Sequence, residues 1–305
     1  MKMYANLHVH SYHSDGGYSP EQLVCAAKKE GYGALAITDH DTVSGCKAIR
    51  EECEKHGLEY LNGIEFNAPS KLLDKLSETS SAPTVASQFH IVALNFDPEH
   101  APIKEYIKQL GERRTEMTRQ LFVNAVKRGS IKGVEWEEIL EYNKDKTWIS
   151  GSQVRHALSA KGVMELSDLT FLREVMFGKF AKDAVAPFPY RTEAEIIKLI
   201  RDAGGIAILA HPHTQLFCVD ALIEMGLNGI EVHHPDLTEE EKEQTYEIAM
   251  EKDLFVSGGS DHHGLCSGYY ERSPRPQDCR YYREPFIYGT SKHHFNEMKN
   301  KKLDR

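Results

Sequence analysis

Metal-binding side chains recur in this chain at one kind of address. His8-Val9-His10 closes an apolar run, and the two-residue repeat of an extended strand puts both imidazoles on one side, where they could reach a single ion. Alone, such a pair reads as readily as two surface histidines. Asp15 follows in the next loop. A second apolar run ends in Thr38-Asp39-His40-Asp41, a third in Gly63-Ile64-Glu65-Phe66, and a fourth opens with Phe89-His90. Leu209-Ala210-His211-Pro212 and Gly259-Ser260-Asp261-His262-His263-Gly264 repeat the arrangement further along. Nine positions thus gather at strand ends or in a loop that follows one: His8, His10, Asp15, His40, Glu65, His90, His211, Asp261 and His263. Imidazoles and carboxylates without a thiolate select borderline or hard divalent ions such as Mn, Fe or Zn. Nine ligands exceed the need of one or two ions, so three divalent metal ions are the natural count if one carboxylate bridges, and Glu65 is best placed to do so. Closely spaced cations lower the pKa of a shared water and stabilise an anionic transition state, which points to hydrolysis, most naturally of a phosphate ester.

The elements that must position these residues alternate. Apolar runs at 4–9, 34–38 and 59–66 are separated by helical patterns at 20–30 and 45–56, a βαβαβ order. Ser19, Pro20 and Gln22 start the first helix as an N-cap, a first-turn proline and a capping-box partner. Residues 67–88 are rich in Ser, Thr, Ala and Pro and read either as a lid or as a tolerated insertion before the next strand at 89–96. From 98 to 189 the pattern is helical throughout, with helices expected at 101–128, 134–143, 151–161 and 166–176. Alternation then resumes. A helix capped by Thr192 and Glu195 leads into strands at 205–210, 229–233 and 254–257, with helices at 217–226 and 239–251. A last strand at 285–288 precedes a basic tail, 291–305. The expected fold is therefore α/β: a β/α barrel formed by 1–97 and 190–290, interrupted by a helical insertion at 98–189, with the site at the C-terminal ends of the strands.

Composition narrows the function classes. The chain has 305 residues, 40% hydrophobic and 27% charged, which excludes wholesale disorder. A net charge of −9 argues against long nucleic acid as a partner, although a local basic pocket is compatible with a small phosphorylated substrate. Six irregularly spaced cysteines fit no disulfide scaffold or thiolate metal motif, and no stretch resembles a signal peptide or a membrane span, so a cytoplasmic protein is expected.

The segments HVHSYHSDG, ITDHD, GIEF, FHIVAL, AHP and GSDHHG, in this order, resemble the motifs of the polymerase and histidinol phosphatase (PHP) family of metal-dependent phosphoesterases. The resemblance spans roughly 4–96 and 191–265, and the helical insertion is similar to that of stand-alone members related to nucleoside 3′,5′-bisphosphate phosphatases. It implies a distorted (β/α)7 barrel holding three divalent ions, often Mn, Fe or Zn. It further implies that His8 and His10 share one ion with Glu65 and Asp261, that Glu65, His90 and His211 hold a second, and that Asp15, His40 and His263 hold a third. A bridging hydroxide would attack phosphorus in line.

By the same resemblance Arg113 and Arg114 in the insertion are candidates for substrate phosphate. The chain departs from the motif where many relatives read Arg-Pro-His: Gly151-Ser152-Gln153 stands there, followed by Val154-Arg155-His156. Either Arg155 and His156 take over, or the substrate differs. His213 and His234 are candidates for the acid that protonates the leaving oxygen, and His13 and His262 for partners of the ligands. Asp39 and Asp41 serve either turn formation or an orienting hydrogen bond to His40. The expected activity is hydrolysis of a small phosphorylated metabolite, a nucleotide or ribose phosphate. The alternatives are a cyclic phosphodiesterase on a ribose cyclic phosphate, a 5′-3′ exoribonuclease on short RNA, and a non-catalytic regulatory module of the same fold.

Overall fold

Short, wholly buried apolar runs between amphipathic helices pair as strands under helical cover. The computed structural model describes residues 3–73, 88–165, 190–263 and 288–301, with 168, 171–176, 178 and 180 between them. Strands β1 (Ala5–Asn6), β2 (Ala34–Leu35) and β3 (Glu59–Tyr60) form a three-stranded parallel sheet. Strands β4 (Gly63–Pro69), β5 (Gln88–Leu94), β6 (Ile206–Leu209), β7 (Gly229–His233) and β8 (Phe255–Gly258) form a second sheet in that order. The β6, β7 and β8 strands are parallel, but β5 is antiparallel to both β4 and β6.

The α/β class holds, and the strands expected of a barrel form two sheets rather than one continuous sheet. Among the described residues no closed ring of strands forms. Consecutive strands β4 and β5 pair directly over seven residues in opposite directions, which breaks the uniform strand–helix alternation a β/α barrel requires. The two sheets meet instead through isolated parallel bridges, His40 with Glu65 and Val9 with His262. Around the second bridge, Leu7 N–H donates to Gly258 O (3.2 Å), Asp261 N–H to His8 O (2.9 Å) and His10 N–H to His262 O (2.9 Å). Asn6 and Ser260 fasten the same seam: Asn6 Nδ2 donates to Ser260 Oγ at 2.8 Å, and Ser260 N–H to Asn6 Oδ1 at 3.1 Å. These contacts bring the ends of β1, β2, β4 and β8 to one place.

Helix α1 (Pro20–Lys29) carries the capping box expected of Ser19 and Gln22, and α2 (Cys46–His56) ends at Gly57 in the left-handed conformation that a residue without a Cβ adopts freely. The helical stretch contains α3 (Ala101–Lys127), α4 (Trp136–Tyr142), α5 (Gly151–Ala160) and α6 (Phe171–Val175), which bury a hydrophobic cluster of their own around Phe122, Trp136, Ile139, Val154 and Leu158. After it come α7 (Glu193–Asp202), α8 (Val219–Glu224), α9 (Glu239–Glu251) and α10 (Lys292–Asn300). The last corrects the reading of 291–305 as a tail. Ser291 caps α10, whose Phe295 and Met298 are fully buried beside Ala5 and Leu7, and Thr290 bridges to Ala5. The basic side chains that suggested a tail lie on a helix whose apolar residues face the core. Most of the 67–88 stretch and of the 285–288 strand lie outside the described residues. No described helix is long and apolar enough to cross a membrane.

Candidate metal centre

Glu65 is the middle of the site. It lies in β4 with its side chain 1% exposed, and both carboxylate oxygens face imidazoles. Oε2 meets His8 Nε2 at 3.4 Å, His10 Nε2 at 3.2 Å and His40 Nδ1 at 3.1 Å; Oε1 meets His90 Nδ1 at 2.9 Å and His211 Nε2 at 3.3 Å. Asp261 lies across from it, 3.0 Å from His10 Nε2, 3.5 Å from His8 Nε2 and 3.5 Å from His263 Nδ1. Asp15 reaches the third side: His263 Nε2 is 3.3 Å away, His10 Nδ1 3.9 Å and His40 Nε2 4.0 Å.

All nine residues read as ligands therefore converge. They fall into overlapping groups able to hold an ion: His10 with Asp15, His40 and His263; His8 with His10 and Glu65; Glu65 with His90 and His211; and His8 with His234 and Asp261. His8 Nε2, both nitrogens of His10, His40 Nδ1 and Glu65 Oε2 are buried and aimed at one another without the geometry of a hydrogen bond. Orphaned buried atoms are rare in folded proteins, and divalent cations would satisfy this set.

The backbone is strained to present it. Asp41, His211 and Asp261 have φ values of 47°, 29° and 49°, a region that residues with side chains seldom occupy, and all three lie at strand ends of the centre. Gly259 passes so close to His8 that a Cβ there would collide with the His8 Cβ and backbone N. Gly259→Ala is expected to lower the melting temperature, by an overpacking penalty of about 1–3 kcal/mol, and to reduce bound metal measured by elemental analysis.

The charges order themselves accordingly. Burial alone would push the Glu65 carboxyl up, but His40, His8 and His90 around it hold it well below the usual carboxylate range. Asp261 is held low against its burial by His263, His8 and contacts to His10 and His234. Burial disfavours the charged form of His10, yet the carboxylates of Asp261 and Glu65 beside it push it up to about 10. His40, dominated by burial, is pushed down to about 4.

Glu231 was not singled out in the sequence, and it belongs here. Its side chain is 1% exposed; its oxygens lie 3.1 and 3.2 Å from His8 Nδ1, and Oε2 accepts from His211 N–H at 2.9 Å. A carboxylate on Nδ1 leaves His8 Nε2 as the lone-pair nitrogen facing Glu65 and Asp261, the arrangement that orients metal-ligating histidines. The available signal was an acidic residue inside the otherwise apolar run Gly229-Ile230-Glu231-Val232, since a charge in such a place needs a partner.

The remaining candidates divide. His234 is fully buried, with Nε2 3.6 Å from Asp261 Oδ2. His213 is not brought to the centre: it is half-exposed and pairs with Glu241 at 2.5 Å, because the chain turns through φ 33° after Pro212 and carries the ring outward. His13 turns to Ser44 Oγ at 3.0 Å. Asp39 accepts from Ser11 N (2.7 Å), Ser11 Oγ (2.6 Å) and Ser14 Oγ (2.6 Å), so it organises the loop ahead of Asp15 rather than orienting His40. Asp41 accepts from Asn67 Nδ2 at 2.7 Å and forms an ion pair with Arg114.

A cavity of about 390 Å³ opens beside the centre, lined by Asp15, His40, Arg114, Trp148, Ser152 and Tyr190. The Arg114 guanidinium stacks over Trp148, 4.8 Å from the ring centroid. Arg113 does not line this cavity. Neither do Arg155, which is 5% exposed in α5, or His156, which faces a second cavity of about 340 Å³ shared with Tyr12, Tyr142 and Gln153.

Buried carboxylates shared among imidazoles at strand ends define, as a class, a metal-dependent hydrolase with a multi-metal site. The comparisons narrow it. The PHP domain profile matches residues 6–167, and the chain belongs to this family. It is 29% identical to phosphoribosyl 1,2-cyclic phosphate 1,2-diphosphodiesterase of Eggerthella lenta over 86% of this chain and 95% of the relative. It is 30% identical to the 5′-3′ exoribonuclease Rnm of Salmonella typhimurium over 86% of this chain and 85% of the relative. Identity to the 3′,5′-nucleoside bisphosphate phosphatase of Chromobacterium violaceum is 26% over 86% and 88%. A crystal structure of a proposed metal-dependent phosphoesterase from Bifidobacterium adolescentis superposes with a TM-score of 0.71 at 26% identity, covering 97% of this chain and 95% of that one. This chain is a hydrolase acting on phosphoester bonds.

Proposed function

We propose that the chain hydrolyses a phosphate ester of a small metabolite, a nucleotide or ribose phosphate, at a centre of three divalent ions. The observation that carries this reading is Glu65, whose two oxygens face five imidazoles within 3.4 Å beside a cavity of nucleotide size. Glu65 would bridge, with His8, His10 and Asp261 on one side, His90 and His211 on another, and Asp15, His40 and His263 on the third. Bound ions would supply Lewis acidity and a water of lowered pKa.

The chain's own residues would do the rest. Arg114, held by Asp41 and Trp148, presents a guanidinium to the cavity for phosphate oxygens. His234 Nδ1 accepts the Asp236 N–H at 3.1 Å, which leaves the proton of the neutral ring on Nε2, facing Asp261. A ring so fixed suits proton donation to a leaving oxygen better than ligation.

Turnover of a nucleoside 3′,5′-bisphosphate, a ribose cyclic phosphate and a 5′-phosphorylated short RNA, each with Mn²⁺, tests the proposal. Hydrolysis of either small substrate supports it, and degradation of the RNA alone overturns it in favour of the exoribonuclease reading. With the preferred substrate, Arg114→Lys is expected to raise KM roughly 10- to 100-fold while leaving kcat near wild type, the cost of a lost charge-assisted hydrogen bond.

A further inference from the structure

Asp15 differs from the other ligand candidates because it hangs on a loop rather than a strand end. The loop is closed on itself, with Ser14 N–H and Gly16 N–H donating to Ser11 O at 3.1 and 3.0 Å, and it is held from two further directions. On the sheet side, Asp39 accepts three hydrogen bonds from Ser11 and Ser14. On the other side the holder is Gln153, in the first turn of α5 and 4% exposed. Its Oε1 accepts from Ser150 N–H at 3.0 Å and from Ser150 Oγ at 2.6 Å. A backbone N–H can only donate, so the amide orientation is decided, and the Nε2 hydrogens face the loop, where they donate to Ser14 O. Asn143 Nδ2 in turn donates to Gln153 O at 3.2 Å and to Ile139 O at 2.9 Å, tying the start of α5 to α4. The residue before Asp15 is thus bonded to helices that have a hydrophobic cluster of their own.

We infer that Gln153 is a positioning residue through which the helical insertion sets how tightly the ion beside Asp15, His40 and His263 is held. The inference rests on the three-ion reading of the centre. His40 and His263 adjoin paired backbone: Asp41 N–H donates to Glu65 O at 2.9 Å, and Gly17 N–H donates to His263 O at 2.7 Å. Asp15, with its side chain 37% exposed, is placed by a turn closed on Ser11 O, whose support from the insertion is Gln153. Releasing Ser14 O lets that loop sample conformations in which the carboxylate is out of reach, which weakens one ion. The ions beside Glu65 keep their ligands.

The test is metal binding by the full chain, measured by equilibrium dialysis against Mn²⁺ with elemental analysis, alongside thermal unfolding. Gln153→Glu keeps an oxygen for Ser150 but sets a second one against the Ser14 carbonyl; Gln153→Met removes both contacts at similar volume. Ser150→Ala removes the capping hydroxyl and leaves the Gln153–Ser14 contact. Wild type is expected to bind three ions. Both Gln153 variants should bind two as tightly as wild type and the third roughly 10- to 100-fold more weakly, the usual effect of losing an outer hydrogen bond at a metal site. Ser150→Ala should lose thermal stability and keep all three affinities. Three ions at wild-type affinity in both Gln153 variants overturn the role of Gln153 alone. Equal weakening in Ser150→Ala assigns the effect to helix stability and overturns it as well. A wild-type chain that saturates at two ions overturns the three-ion reading and this inference with it.

Discussion

Glu65→Gln is expected to lose both metal and turnover. An amide has the shape of the carboxylate but presents one acceptor oxygen where there were two, and it carries no charge to offset neighbouring cations. The nitrogen would point N–H hydrogens at one of the two imidazole groups that now face Oε1 and Oε2. Removing one partner from a buried charge set costs about 3–5 kcal/mol, which is roughly two to nearly four powers of ten in ion affinity. Elemental analysis should show the loss of at least one ion per chain, and turnover should fall by about 10³ or more at saturating substrate. A variant that keeps full metal content and undiminished activity would remove Glu65 from the centre.

Metal affinity is also expected to rise steeply with pH. In the metal-free centre Asp261 and Glu65 push His10 up to about 10 against its burial, and Glu231, Glu65 and Asp261 raise His8 well above its ordinary value. Both rings therefore favour the protonated form, and an ion must displace those protons to bind. His40, pushed down to about 4 by burial, has no proton to lose. Each displaced proton adds about 1.4 kcal/mol of affinity per pH unit until the raised values are passed.

The metal-free fold runs the other way. A histidine raised by its partners contributes stability that is complete below its unfolded value near 6.5 and is lost as pH rises through about 10 for His10. The depressed Glu65 and Asp261 contribute stability present above their unfolded values near 4 and lost as pH falls through their folded ones. The gap in melting temperature between Mn²⁺-loaded and chelator-stripped protein should accordingly widen from pH 6.5 to 9. A gap that stays constant over this range would show that binding displaces no protons.

The ligand cluster was readable because every member but Asp15 is a His, Asp or Glu at one end of an apolar run, and strand ends in an α/β fold share one face. Direction was harder. The runs at 63–69 and 88–94 show the same apolar content whether paired parallel or antiparallel, so the reversal at β5 left no local mark. Glu231 escaped because one acid in a strand resembles an exposed position until its neighbours prove buried. His213 misled because it stands two residues from His211, whereas two positive φ values around Pro212 turn the chain there. In α10 the charges outnumber the apolar residues, and the two that matter, Phe295 and Met298, are recognisable only as one helical face.

The seam between β1 and the end of β8 bears on how the protein comes into being. Asn6 and Ser260 are 254 residues apart, and the seam they fasten places His8 and His10 against Asp261. During synthesis the earliest ligands emerge almost a whole chain ahead of the partners that complete their ion sites, and pairing across so long a separation is slow to form. Ion capture at the two groups that include Asp261 and His263 then waits for the residues after β8. A ribosome that stops before residue 258 releases a chain lacking Asp261 and His263, so loading distinguishes complete molecules from fragments.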